Sequence, residues 1–224
     1  MKQADKIAAT IFMDVEILNE HFRLYPQKAI FWKSQNSLLL SDLHMGKINH
    51  FRKAGIPVPA KANDHNLEVF IDLIGMCQPK RIICLGDLFH SHYNAEWEVF
   101  GEVVRHFSSI SFDLVQGNHD IMGKYQYSRK GIHVHNTLHI GKFTLTHHPM
   151  ESVPEGEYNI AGHLHPGVSL IGRGRQAMTL PCFYFGDRLA LLPAFGKFTG
   201  LAKIAPKKQD KVFIIAEDKV ISMC

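Results

Sequence analysis

Short apolar runs that stop at a polar pair recur along the chain. Between residues 17 and 40, Phe22, Leu24, the run 29–32 and the run 38–40 are separated by polar pairs, which predicts hairpin strands feeding a buried strand. The apolar stretch 81–85 predicts a second buried strand and 111–116 a third. Between these, Leu67, Phe70, Ile74 and Cys77 recur at helical spacing with Leu73 beside them. A helix over 63–77 follows, with Asn63 or Asp64 as its N-cap and Pro79 closing it. Trp97, Phe100, Val103, Val104 and Phe107 give 95–107 the same pattern. Strand, helix, strand, helix, strand implies right-handed crossovers and a mostly parallel sheet. Residues 1–16 carry no comparable signal.

After Gly131 the rhythm changes to short strands with turn residues between them: 132–134, 138–140, 143–146, 158–161, 168–171, 178–180, 183–185 and 189–192. Gly172 to Arg175 reads as a hairpin turn, 201–211 as an exposed basic loop, and 212–215 with 220–221 as a final hairpin. The second half therefore adds a second sheet. The expected fold class is α/β in the broad sense, a two-sheet mixed β-sandwich flanked by helices in four layers, as a single domain over 1–224.

Composition narrows this only a little. A chain of 224 residues with 46% hydrophobic and 21% charged residues is ordinary for a soluble globular protein, and a net charge of +4 permits an anionic partner without demanding one. Cys77, Cys84, Cys182 and Cys224 form no CxxC pair, which argues against a zinc-thiolate site. With no signal peptide and no apolar run long enough to span a bilayer, the expectation is a cytoplasmic protein with reduced cysteines and no membrane association.

The number that changes the picture is 15 histidines. Several cluster with Asp and Asn in five pieces: Asp42-Leu43-His44, Gly86-Asp87, Gly117-Asn118-His119-Asp120, His147-His148-Pro149 and Gly162-His163-Leu164-His165. Each follows an apolar run closely, and in sheets with crossover helices ligands gather beyond the carboxyl ends of the strands. Asp42, His44, Asp87, Asn118, His147, His163 and His165 offer a mixed oxygen and imidazole donor set that suits manganese, iron or zinc. They are enough for two divalent ions sharing the Asp87 carboxylate. Asp42 and His44 alternate on a strand end and so should point the same way. The long loop 44–60 brings Lys47 and Arg52 as candidate contacts to flanking phosphates, with His90 as a further substrate contact.

These motifs, DLH at 42–44, GD at 86–87, GNHD at 117–120 and GHLH at 162–165, resemble the calcineurin-like metallophosphoesterase superfamily. The stretches DLHMGKINHFRKAGIPVP (42–59), GDLFHS (86–91), AGHLHPGVSL (161–170), LPCFYF (180–185) and LPAFGKFTG (192–200) are similar to the ligase-associated DNA damage response endonucleases. The resemblance implies one ion held by Asp42, His44, Asp87 and His165 and another by Asp87, Asn118, His147 and His163. His147 rather than His148 is the ligand on the family pattern. The resemblance also implies hydrolysis of DNA beside an ATP-dependent DNA ligase and a helicase.

The expected mechanism is attack on phosphorus by a hydroxide between two ions, most simply Mn2+, with Fe or Zn as alternatives. His119 would stabilise the transition state or protonate the leaving oxygen, with Asp120 orienting it by a hydrogen bond. Two other readings compete. One is a phosphatase or phosphodiesterase for a small nucleotide or phosphorylated metabolite. The other is a scaffold without catalysis, from which several ligands should be missing.

Overall fold

A computed structural model of the protein describes residues 12–45, 61–90, 93–171, 176–197 and 199–223. The first sheet opens with an antiparallel meander: β1 (Met13–Ile17), β2 (Glu20–Tyr25), β3 (Ala29–Trp32) and β4 (Ser37–Leu40). It continues in parallel through β5 (Arg81–Leu85), β6 (Ser111–Val115) and β7 (Ile132–His135), in the spatial order β1-β2-β3-β4-β5-β6-β7. The crossovers carry α1 (Lys61–Cys77), α2 (Ala95–His106) and the short α3 (Lys124–Ser128). Asn94 caps α2 through its side chain, which accepts from the amides of Glu96 and Trp97. Since α1 begins at Lys61, Asn63 and Asp64 lie inside it rather than at its cap.

The second sheet contains β8 (Leu138–Ile140), β9 (Phe143–Thr146), β10 (Tyr158–Ala161), β11 (Pro166–Ile171), β12 (Ala177–Phe185), β13 (Leu189–Leu191) and β14 (Ala202–Lys203). Its order is β14-β11-β12-β13-β10-β9-β8, with the hairpin β15 (Lys211–Ala216) and β16 (Lys219–Met223) attached to β12. The segments 178–180 and 183–185 are one strand, not two. Pro181 is tolerated because β12 changes neighbours there, from β11 before it to β13 and β15 after it.

Period-2 alternation explains the layering. In β4 and β5, Leu38, Leu40, Ile82 and Cys84 point to one face and pack with Phe70, Leu73 and Ile74 of α1, Trp97, Phe100 and Val104 of α2 and Tyr127 of α3. Leu39, Ile83 and Leu85 point to the other face and meet Phe143, Leu145, Ile160, Phe183 and Phe213 of the second sheet. Trp32, Phe22 and Phe143 interlock at this seam, with Trp32 and Phe143 ring centroids 4.9 Å apart. The two sheets are thus packed face to face as a mixed sandwich. The apolar residues of the described helices cover the outer face of the first sheet, while Val168, Cys182, Val212 and Ile214 form a small cluster on the second.

Candidate metal centre

Strands β4, β5 and β6 run parallel as neighbours, and so do β9 and β10. Every one of the five motif pieces leaves the carboxyl end of one of these strands. Past their ends the β4 and β5 chains stay hydrogen-bonded: the amides of Asp42, His44 and Met45 donate to the carbonyls of Gly86, Asp87 and Leu88 at 3.1, 2.9 and 3.0 Å. This fixes Asp42 and His44 against Asp87. The pair does not extend the strand as the alternation argument expected, because β4 stops at Leu40. Asp42 (φ 54°), His44 (φ 49°), Asp87 (φ 51°), His163 (φ 65°) and His165 (φ 48°) all take the left-handed backbone instead. Asp and His tolerate that region better than most residues, and clustered strain of this kind is typical of functional sites.

The side chains fall into two groups on either side of Asp87. In the first, His165 Nε2 lies 3.1 Å from Asp42 Oδ1, and His44 Nε2 lies 3.9 Å from the same oxygen and 3.8 Å from Asp87 Oδ2. His165 Nδ1 donates to the Gly200 carbonyl at 3.2 Å, which leaves Nε2 as the lone-pair nitrogen. Asp42 Oδ1 and His165 Nε2 are buried yet make no hydrogen bond of regular geometry among the described residues. Burial opposes ionisation of Asp42, but His165 and the Ser41 hydroxyl outweigh it and hold the carboxyl below its ordinary pKa.

In the second group, His147 Nε2 lies 3.4 Å from Asp87 Oδ1, 3.0 Å from Asn118 Oδ1 and 3.2 Å from His163 Nδ1. His147 Nδ1 donates to the Leu85 carbonyl at 2.9 Å, so its Nε2 also carries the lone pair. A carboxylate oxygen that also accepts the His119 amide, an amide oxygen and an imidazole lone pair therefore converge. Burial, with the facing His148 and His147, lowers the His163 pKa and favours its neutral, ligating form. Orphaned acceptors in the first group and converging acceptors in the second are what a bound cation satisfies, and the oxygen and nitrogen donor set suits a divalent first-row ion. The structure thus fits a metal at each group, with Asp87 facing both.

The nuclease MPE of Pseudomonas putida superposes on this chain with a TM-score of 0.80 and 26% identity, over 95% of this chain and all of that one. The chain has the calcineurin-like metallophosphoesterase fold. The E. coli phosphoesterase Yfce (TM-score 0.39, 13% identity, 81% and 88% of the two chains) is a far more distant structural match. So is a predicted phosphoesterase of Streptococcus pneumoniae (0.33, 14%, 81% and 83%). No family model and no curated protein sequence matches the chain.

Around this metallophosphoesterase site the supporting residues differ from expectation in one respect. Asp120 does not orient His119. Its carboxylate is buried and accepts backbone amides instead: Oδ2 from Asp87 and Gly117 at 2.8 and 2.9 Å, and Oδ1 from Phe89 at 3.2 Å. It is a brace for the Asp87 loop. Burial outweighs the amide bonds from Gly117 and Phe89 and, with the nearby Asp87 charge, lifts its pKa to about 6. His119 is held from its backbone, whose N–H donates to Asp87 Oδ1 at 2.9 Å. Its ring is 42% exposed, with Nε2 4.0 Å from Asp87 Oδ2. The His90 ring lies 3.9 Å from the His119 ring and 5.3 Å from that of His44, at the edge of the first group. Lys47 and Arg52 lie outside the described residues.

Three glycines of the motif pieces set close approaches, and a Cβ on Gly162 would meet Ser41 Oγ and Asp42 Oδ2. Gly86 has φ +80°, and a Cβ there would sit 2.2 Å from His147 Nδ1. A Cβ on Gly117 would sit 2.3 Å from Asp87 Oδ1. His148, next to the buried His147, is exposed, and its ring centroid is 3.9 Å from that of His163, so it lines the second group from outside. Sequence reasoning missed Ser41, whose hydroxyl bonds the Asp42 carboxylate, and the Leu85 and Gly200 carbonyls that fix two histidine tautomers. Backbone carbonyls leave no trace in a side-chain pattern. Ser41, directly before an Asp at a strand end, did.

Proposed function

We propose that the chain is a two-metal phosphodiesterase that cleaves nucleic acid, DNA foremost. The observation that carries this is the position of Asp87, with one oxygen toward His147 and the other toward His44. One ion would be held by Asp42, His44, Asp87 and His165, the other by Asp87, Asn118, His147 and His163, with Mn2+ favoured and Fe or Zn as alternatives. Bound there, two divalent ions would lower the pKa of a shared water toward neutrality and offset charge on the phosphoryl oxygens. The protein's own part is positional. The Leu85 and Gly200 carbonyls hold His147 and His165 as Nε2 ligands. Asp120 locks the loop that presents Asp87. His119, beside Asp87 and open to solvent, is the group placed to protonate the leaving oxygen. His90, against its ring, would contact the substrate.

Nucleic acid is favoured over a small metabolite by the likeness to MPE, a nuclease. On the motif resemblance the setting is DNA repair in the cytoplasm, beside an ATP-dependent DNA ligase and a helicase. The test is hydrolysis of bis(p-nitrophenyl) phosphate with Mn2+, where Asp87→Asn should abolish activity and full activity would refute the bridge. Labelled single-stranded DNA, compared with cyclic nucleotides and phosphomonoesters, then decides the substrate class. A preference for the small esters would overturn the nucleic-acid assignment.

A further inference from the structure

The β2–β3 turn lies on the same edge as the metal centre, because β3 pairs antiparallel with β4 in the register Ile30↔Leu39. Lys28, in that turn, therefore sits beside the stretch that leads from Leu40 into Asp42. A second segment reaches the same place from the other sheet. The amides of Phe195 and Gly196 donate to the carbonyls of Ser41 and Asp42 at 2.8 and 3.0 Å, and Lys197 follows immediately. Between the two lies a cavity of about 230 Å³ lined by Lys28, Lys197, Gln27, His65, Asn66 and Glu217, among others.

The charges in this cavity are not balanced. Neither lysine has an ion-pair partner within 4.0 Å among the described residues, although Glu217 lies on the wall. Burial, together with the charge of Lys197, lowers the Lys28 pKa, so its ammonium form is disfavoured there unless an anion joins it. Gln27 Oε1 on the same wall is buried without a hydrogen bond among the described residues. In the larger cavity of about 350 Å³ between α2 and the turn into β7, Arg105 and Lys130 are paired with Glu102 and Glu98, and the third cation, Arg129, is in no ion pair among the described residues.

We propose that this cavity seats a phosphodiester of the bound strand next to the one being cut, with the Lys28 and Lys197 ammoniums as its counter-charge. The inference rests on the nucleic-acid reading above and adds to it a subsite separate from the metal ligands. A lysine is suited to this as a compact point charge that needs no fixed fork geometry.

The test compares the metal-loaded wild type with Lys28→Gln/Lys197→Gln on a labelled single-stranded oligonucleotide and on a dinucleotide with one phosphodiester. Loss of this phosphate contact should weaken oligonucleotide binding about tenfold at low salt and reduce the slope of log K against log[salt] by about 0.7. The dinucleotide, which has no flanking phosphate, should lose much less, and Lys28→Arg/Lys197→Arg should restore oligonucleotide binding. An unchanged oligonucleotide salt slope in a variant that melts like the wild type would overturn the subsite alone. So would an equal loss on both substrates, which would put the lysines at the scissile phosphate. A wild type that binds no oligonucleotide at all would overturn the nucleic-acid reading and the subsite with it.

Discussion

Asp120 shows how a buried carboxylate can shape the candidate metal centre through backbone amides alone. Three amides from Asp87, Phe89 and Gly117 converge on it, so the loop that carries Asp87 has one stable shape. An amide in its place offers one acceptor oxygen and strands at least one buried N–H. Asp120→Asn should therefore lose about 2 kcal/mol of stability, measured by urea denaturation, and weaken Mn2+ binding by calorimetry. Gly86→Ala attacks the same centre by sterics. Its Cβ has no room against the His147 ring, and the left-handed φ adds about 1–2 kcal/mol of strain. The expected result is a lower Tm and displacement of His147, read as a fall in bound Mn2+ per chain. The candidate ligands themselves stand out in the sequence because Asp, Asn and His at strand ends in this order are chemically conspicuous. The strain that places them does not. Nothing in Asp42-Leu43-His44 announces two left-handed residues in three.

At the scale of elements, strands were the most legible part. The run 81–85 and the segments 138–140, 143–146 and 158–161 fall where their apolar patterns placed them, since burial on one or both faces writes itself into period 2. Three elements escaped, one of them β14, whose two residues are both exposed and fall in the stretch 201–211 read as a basic loop. Strand β1 is an edge strand with Val15 as its one buried residue, too little burial to show a pattern. Helix α3 is five residues long with one buried side chain, Tyr127. A polar group inside β6 was also missed. Asp113 faces the seam between the sheets and is held by Arg81 at 2.8 Å and His135 at 2.6 Å, tying β5, β6 and β7 together. Burial raises its pKa, but the hydrogen bonds and charges of Arg81 and His135 overcome that and bring it below the usual carboxylate value. A folded-state pKa below the unfolded one gives stability that is present above the unfolded pKa, about pH 4, and is lost as pH falls through the folded value. Asp113→Asn should thus cost about 2–4 kcal/mol at pH 7. The same substitution should flatten the acid limb of stability below about pH 4 in denaturation curves across pH.

For the whole molecule, the decisive fact is that neither sheet alone supplies the candidate metal centre. Asp42, His44, Asp87 and Asn118 come from the first sheet and His147, His163 and His165 from the second. An ion bound to both is then a clasp between the layers. Saturating Mn2+ should raise stability by about 2.7 kcal/mol at a hundredfold excess over Kd, and EDTA should reverse the shift in a thermal melt. Because the seam positions the clasp, Phe143→Ala, which removes an aromatic locked against Trp32 and Phe22, should cost about 3–5 kcal/mol. Mn2+ affinity should fall with it, although Phe143 touches no ligand.

That shared ownership carries a consequence for biosynthesis. The candidate ligands span residues 42 to 165, so a nascent chain must leave the ribosome beyond His165 before the whole candidate centre exists. Truncated products ending before His147 would carry the first-sheet candidate ligands without their counterparts.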